Sequence, residues 1–271
     1  MSRTPVDSVS IAFDDLGPAT GTTSGGNEPA FLLLPGWCTN RSVFRPLAER
    51  LAKKRRTLVL DWAGHGESDA ASGDFGEKEL VAQALGVIAA SGVERVIPVT
   101  ISHAGWVALE LRRRLGARVP GLVFLDWIVS EAPPPFLAII AGMQSPDWRQ
   151  AVEQVFGMWL HGVEDPAVIR FVREEMGAYP GAMWGRAGRE ISAAYAAHKS
   201  PLEAVAKLAP PVPTLHLYGQ PDDPGYLGFQ QGFAAQHPFF QVRKLAAKSH
   251  FPTLEAPGEI AAALEEFAAG K

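Results

Sequence analysis

Between Arg95 and Leu111 the chain runs through an apolar stretch, Val96-Ile-Pro-Val-Thr-Ile101, past Ser102-His103, and into Ala104-Gly-Trp-Val-Ala-Leu-Glu-Leu111. The pattern reads as a buried strand, one sharp turn with Ser102 at its tip, and an amphipathic helix. A serine held in such a turn exposes its hydroxyl above a parallel sheet. The N–H groups that follow it stand at a helix N-terminus, where developing negative charge is stabilised. An aspartate closes a later strand, Leu122-Val-Phe-Leu-Asp126, and a histidine stands on a late loop, Lys248-Ser-His250-Phe-Pro252.

The rest of the chain supplies a scaffold for that turn. Further candidate strands are Ala30–Leu34, Arg56–Asp61, Val93–Ile101, Gly121–Asp126, Val212–Tyr218 and Phe240–Leu245, with two strands expected early and a turn over residues 18–29. Short apolar runs of this kind are how strands buried on both faces read. Helical patterns lie between them at Val43–Leu51, Glu77–Ala90, Trp106–Leu115 and Gly258–Ala269. Strands alternating with helices predict βαβ units and a mostly parallel sheet flanked by helices. From Pro133 to Leu208 no strand is evident, only helical patterns at Pro146–His161, Pro166–Gly177 and Met183–His198. The expected organisation is a core of residues 1–132 and 209–271 with a helical cap, 133–208, inserted after the sixth strand. Such a cap covers the carboxyl edge, where open α/β sheets bind ligands.

Composition excludes some function classes. With 271 residues, 47% hydrophobic and 20% charged, the chain is an ordinary globular one. A net charge of −4 argues against nucleic acid or an anionic membrane surface as partner. No apolar run approaches the length of a membrane-crossing helix. The N-terminal Met-Ser-Arg-Thr-Pro-Val-Asp lacks the apolar stretch of a secretion signal. A single cysteine, Cys38, leaves no internal disulfide framework. A cytoplasmic protein is expected.

The chemistry-bearing positions follow the order Ser, Asp, His, which is that of the α/β-hydrolases. Thr100 and Ala104 stand where their elbow, G-x-S-x-G, has glycine, so ester hydrolysis does not follow automatically. Ser102 reads as a nucleophile, a hydrogen-bond donor or a plain helix cap. His250 is the candidate general base. Its acid partner is Asp126, or Asp222 or Asp223 in the turn after the next strand; any of these would orient the imidazole and stabilise its protonated form. Gly36 and Trp37 follow the third strand, where this fold supplies one oxyanion N–H; Trp37 and His103 N–H groups form the expected anion site. The other histidines pair with no Cys, His or carboxylate at ligand spacing, so no metal is expected. The uncharged run Phe136-Leu-Ala-Ile-Ile140-Ala-Gly-Met143 in the cap suits a flat aromatic ligand with an alkyl tail.

Taken together, Leu32-Leu-Leu-Pro-Gly-Trp-Cys38, Asp61-Trp-Ala-Gly-His-Gly66, Ser102-His-Ala-Gly-Trp106, Asp126-Trp127, Trp184-Gly-Arg-Ala-Gly-Arg189 and His250-Phe-Pro252 resemble the cofactor-independent 3-hydroxy-4(1H)-quinolone 2,4-dioxygenases, from about residue 30 to residue 268. The resemblance implies an α/β-hydrolase fold, no cofactor, and O2 and a quinolone as reactants. It implies ring cleavage with loss of carbon monoxide, giving an N-acylanthranilate. It implies that His250 takes the 3-hydroxyl proton with Asp126 behind it, that Ser102 hydrogen-bonds, and that Trp37 and His103 border the O2 site. Trp159 and Trp184 would wall the ring pocket, and Phe136, Ile140 and Met143 would receive a long 2-alkyl chain such as heptyl. Thr39 and Ile101 stand where relatives can carry histidine, which removes any accessory histidine there. Two other readings remain: a serine hydrolase using Ser102, His250 and Asp126 or Asp222, and a non-catalytic receptor on the same fold.

Overall fold

The computed structural model describes residues 1–18, 28–71 and 73–270. Two short strands, β1 (Ser2–Val6) and β2 (Val9–Leu16), form an antiparallel edge, and β2 pairs antiparallel with β4 (Thr57–Leu60). From β4 onward every pairing is parallel, through β3 (Ala30–Leu34), β5 (Val96–Ile101), β6 (Leu122–Leu125), β7 (Thr214–Tyr218) and β8 (Phe240–Lys244). The sheet order is β1-β2-β4-β3-β5-β6-β7-β8. The reading of a mostly parallel α/β-hydrolase sheet is therefore correct. Most of the turn expected over residues 18–29 lies outside the described residues.

Burial explains the strand sequences. Every residue of β3, β4, β5, β6 and β7 is buried, which is why those segments read as unbroken apolar runs. Edge strand β8 instead alternates, with Gln241 and Arg243 exposed. Helices α1 (Arg45–Leu51), α2 (Glu77–Ser91), α3 (Ala104–Leu115), α9 (Pro224–Gln236), α10 (Pro252–Glu255) and α11 (Pro257–Ala269) flank the sheet. Between β6 and β7 run α4 (Pro134–Gly142), α5 (Trp148–Trp159), α6 (Pro166–Arg170), α7 (Gly181–His198) and α8 (Pro201–Ala206), with a wide π turn at Phe171–Met176. Helices α4, α5 and α7 pack on one another around Phe156, Met176 and Trp184. No helix among the described residues is long and apolar enough to cross a membrane.

The helical layer is pinned to the sheet layer by charge. Asp74 receives Arg186 at 3.0 Å and Arg189 at 2.9 Å, both from α7. Glu190 of the same helix accepts the Glu77 backbone N–H at the start of α2 (2.9 Å). On the opposite side Ser42 Oγ donates to Glu175 at 2.7 Å.

The sheet order reverses at β3 and β5, since β3 is followed in sequence by β4 on one side and then by β5 on the other. Open α/β sheets bind ligands in the crevice at such a point. Helix α3 begins there, and Gly105 in its first turn lies flat against Trp127, so that a Cβ at that position would overlap the indole ring. Glycine to alanine inside a helix ordinarily gains about 1 kcal/mol. Here the sign reverses: Gly105→Ala is expected to destabilise by about 1–3 kcal/mol through overpacking. Urea unfolding of the variant tests this, and a midpoint at or above that of the parent protein would refute the packing argument.

Candidate active site

Three neighbouring strands leave the sheet through a non-glycine residue in left-handed backbone: Cys38 beyond β3 (φ 56°), Ser102 after β5 (φ 54°) and Asp126 after β6 (φ 47°). Each seat costs on the order of 1–3 kcal/mol and persists only if its surroundings hold it. They do. The Cys38 N–H donates to His65 Nε2 at 3.1 Å, the Ser102 N–H to the Leu125 carbonyl at 3.0 Å, and the Asp126 N–H to the Leu217 carbonyl at 2.9 Å. The three strained residues thus form one row along the carboxyl edge.

Asp126 is buried, and its carboxylate is fully engaged. Oδ2 accepts the backbone N–H groups of Gly219 (2.6 Å) and Gln220 (3.2 Å), just past β7, while Oδ1 accepts His250 Nδ1–H at 3.0 Å. A proton on Nδ1 leaves the lone pair of the neutral imidazole on Nε2, the atom a general base needs. The ring is also clamped from the cap, where Trp159 stacks on it with centroids 4.8 Å apart and planes 8° from parallel. The structure therefore brings Asp126 to the histidine, and neither alternative acid. Asp222 is exposed and pairs with Lys244 at 3.1 Å, while Asp223 caps α9 through the Gly225 N–H at 2.8 Å.

Ser102 stands beside this pair, but among the described residues its hydroxyl makes no hydrogen bond to His250. The backbone N–H groups of Trp37 and His103 are taken up by no other group among the described residues, so both can donate to an anion in the cavity. His103 sits at the N-terminus of α3, so its amide adds the positive end of the helix dipole. Gly36 packs closely beside this turn: a Cβ there would make ordinary contacts, 3.4 Å from the Ile101 carbonyl oxygen and 3.7 Å from Ser102 Cβ.

All eleven residues singled out from the sequence, Gly36, Trp37, Ser102, His103, Asp126, Phe136, Ile140, Met143, Trp159, Trp184 and His250, line one cavity of about 770 Å³. Thr39 and Ile101 line it too. Sequence reading missed Gln220, Tyr195 and Tyr226, which also face it. Tyr226 Oη donates to the Trp127 carbonyl at 2.9 Å and accepts the Val129 N–H at 3.0 Å; Tyr195 Oη donates to the Ile128 carbonyl at 2.6 Å. Buried His216 accepts the Trp127 N–H on Nε2 (3.4 Å) and donates Nδ1–H to Gln230 (2.5 Å). These groups fix the segment that follows Asp126. No short-range pattern marks them, because every bond joins residues at least fourteen positions apart.

A profile of the alpha/beta hydrolase family matches residues 31–263. A 2-heptyl-3-hydroxy-4(1H)-quinolone dioxygenase of Mycobacteroides abscessus is 36% identical over 98% of this chain and 97% of its own. A 1H-3-hydroxy-4-oxoquinoline 2,4-dioxygenase of Pseudomonas putida is 33% identical over 89% of this chain and 92% of its own. The chain belongs to the 3-hydroxy-4-quinolone 2,4-dioxygenase family. A solved structure agrees: that of a variant enzyme which recognises and cleaves the ring of the Pseudomonas quinolone signal, in complex with its substrate. It superposes with a TM-score of 0.93 at 35% identity, covering 100% of this chain and 99% of the other. In this dioxygenase the α/β-hydrolase scaffold therefore carries ring-cleaving chemistry.

Three histidines of the dioxygenase are buried as neutral rings. Burial lowers His65 to about 4, His103 to about 3 and His216 to about 4, all well below the ordinary value of 6.5. The unfolded chain binds these protons below about pH 6.5 while the folded chain refuses them, so stability falls as the pH drops. The three together impose a slope of up to about 4 kcal/mol per pH unit between roughly pH 6 and the folded values. Protonation of His65 would also break its bond from Cys38. Urea midpoints measured between pH 8 and 4.5 are expected to stay level above pH 7 and then drop steeply; a level profile to pH 5 would contradict the buried neutral assignment.

Proposed function

We propose that this chain opens the heterocyclic ring of 2-alkyl-3-hydroxy-4(1H)-quinolones with O2, releasing carbon monoxide and an N-acylanthranilate. The observation that carries the reading is the dyad: His250, bonded to buried Asp126 and stacked under Trp159, with Nε2 facing the cavity that the quinolone would fill. His250 takes the 3-hydroxyl proton, and Asp126 stabilises the imidazolium that results. The substrate becomes an electron-rich anion able to reduce O2, so the organic ring does the redox work. C3 departs with its oxygen as carbon monoxide. The two atoms of O2 end on C2, as the amide carbonyl, and on C4, as the carboxylate. The proton held by His250 balances that carboxylic acid. Trp37 and His103 amides stabilise the oxygen-centred anions that form on the way.

The 2-substituent is assigned as a long chain. Phe136, Ile140 and Met143 on and just beyond α4 give the cavity an apolar wall, and each buried methylene contributes roughly 0.8 kcal/mol. Heptyl exceeds methyl by six methylenes, up to about 5 kcal/mol of added binding. The biological role on this reading is degradation of a quinolone signal, in the cytoplasm. The single cysteine is compatible with that compartment.

The test is aerobic turnover of 2-heptyl-3-hydroxy-4(1H)-quinolone, with O2 uptake and CO release followed together. The 2-methyl analogue and a p-nitrophenyl ester run in parallel. Equal O2 loss and CO gain are expected, with kcat/KM for the heptyl compound at least tenfold above the methyl one. His250→Ala is expected to lose at least a hundredfold in kcat at pH 7 and to recover at alkaline pH, where the substrate ionises unaided. Ser102→Ala is expected to keep measurable oxygenase activity. Ester cleavage abolished by Ser102→Ala, without O2 uptake, would return the chain to the serine hydrolases.

A further inference from the structure

Gln220 lies one residue beyond Gly219 at the exit of β7 and touches all three parts of the site. Its backbone N–H donates to Asp126 Oδ2 at 3.2 Å. Its side-chain amide nitrogen lies 2.5 Å from the Lys248 carbonyl, two residues before His250, and 3.2 Å from the Trp159 carbonyl, with the Met158 carbonyl at 3.4 Å. Three carbonyl oxygens converging on one end of the side chain fix which end is the NH2 group, since the amide oxygen would meet only acceptors there. Trp159 is the last residue of α5, where a helix leaves its carbonyls without internal partners. Gln220 supplies the missing donor, and the same Trp159 lays its ring on His250.

We propose that Gln220 is a positioning residue for the base. It ties the loop of His250 to the cap helix that carries Trp159, while its backbone helps seat Asp126, so that one residue sets the imidazole against both its carboxylate and its stacking partner. This rests on the reading of His250 as the base that ionises a bound quinolone. Without the amide the Lys248 and Trp159 carbonyls lose their shared donor, the His250 loop and α5 separate, and the ring gains freedom about its bond to Asp126. Misorientation of a general base by a fraction of an ångström lowers the rate of proton removal far more than it lowers affinity. Gln220 has no reach requirement toward the apolar wall near α4, so alkyl-chain binding is spared.

The experiment uses Gln220→Met, which keeps the length and removes the donor, with Gln220→Leu as a second variant should the first not fold. Purified protein is mixed with 2-heptyl-3-hydroxy-4(1H)-quinolone without O2 at pH 7, and the fraction of bound substrate present as the anion is read from its absorbance. Aerobic kcat and KM and the melting temperature are measured alongside. The parent protein is expected to bind the substrate as the anion. The variant is expected to bind with KM within threefold but with a smaller anion fraction and a kcat at least tenfold lower, at a melting temperature within a few degrees of the parent. A variant matching the parent in anion fraction and kcat overturns the positioning role. So does a loss of kcat with the anion fraction intact, or one that follows the melting temperature alone. A parent protein that binds the quinolone un-ionised overturns instead the assignment of His250, and this inference falls with it.

Discussion

A single buried carboxylate organises this molecule. Asp126 carries its charge at the floor of a mostly apolar cavity, where an unpartnered ion would cost several kcal/mol. Its partners come from far along the chain: two backbone amides beyond β7 and an imidazole on the loop before α10. None of these contacts forms until β6 and β7 are paired and the C-terminal segment has docked. The carboxylate is thus both a demand on the fold and the reason that the imidazole ends up where it does. Removing a partner from such a charge leaves it exposed to the low dielectric, so the arrangement is all or nothing.

Around that charge the α/β-hydrolase frame is used for a different division of labour. The left-handed serine seat and the two free amides beyond β3 and β5 are those an esterase would use to attack and to hold an oxyanion. Here the imidazole turns to its aspartate and to Trp159, and the serine is left as a neighbour that can donate a hydrogen bond. On the proposed reading, once His250 has made an electron-rich substrate anion, the protein has little covalent work left. Fixed dipoles are what the frame already supplies.

Much of this was legible in the sequence because it is local. The unbroken apolar runs of β3, β5 and β6 gave their burial away, and the strand–Ser102–helix junction marked the elbow. The charge-free stretch from Phe136 to Met143 reads as cavity wall for the same reason. Its helix α4 was hidden by the prolines at its start, and α9 by three glycines and a weak periodicity in Pro224–Gln236. The pattern over Val43–Leu51 reads as one helix, whereas a 3-10 turn, Arg41–Phe44, precedes α1. The choice among Asp126, Asp222 and Asp223 could not be made from spacing, because the deciding contact spans 124 positions. Gln220, Tyr195 and Tyr226 were unreadable on the same grounds: each acts through backbone atoms of a distant segment, which no residue type announces.

The segment Trp127–Val129, gripped by Tyr195, Tyr226 and His216, also forms the stem by which the helical insertion leaves the sheet. The amide of Leu202 returns to the same stem through the Val129 carbonyl at 3.1 Å. The insertion is therefore not a detachable lid set on a finished catalytic base. It grows out of the residue next to the acid and is tied back to that point from its far end. Modular exchange, in which one relative's insertion is grafted onto another's sheet to change the ligand, must carry Tyr195 along and match Tyr226 in the recipient. In this chain a change of ligand range is accordingly easier to reach by single substitutions within the wall than by wholesale replacement of the roof.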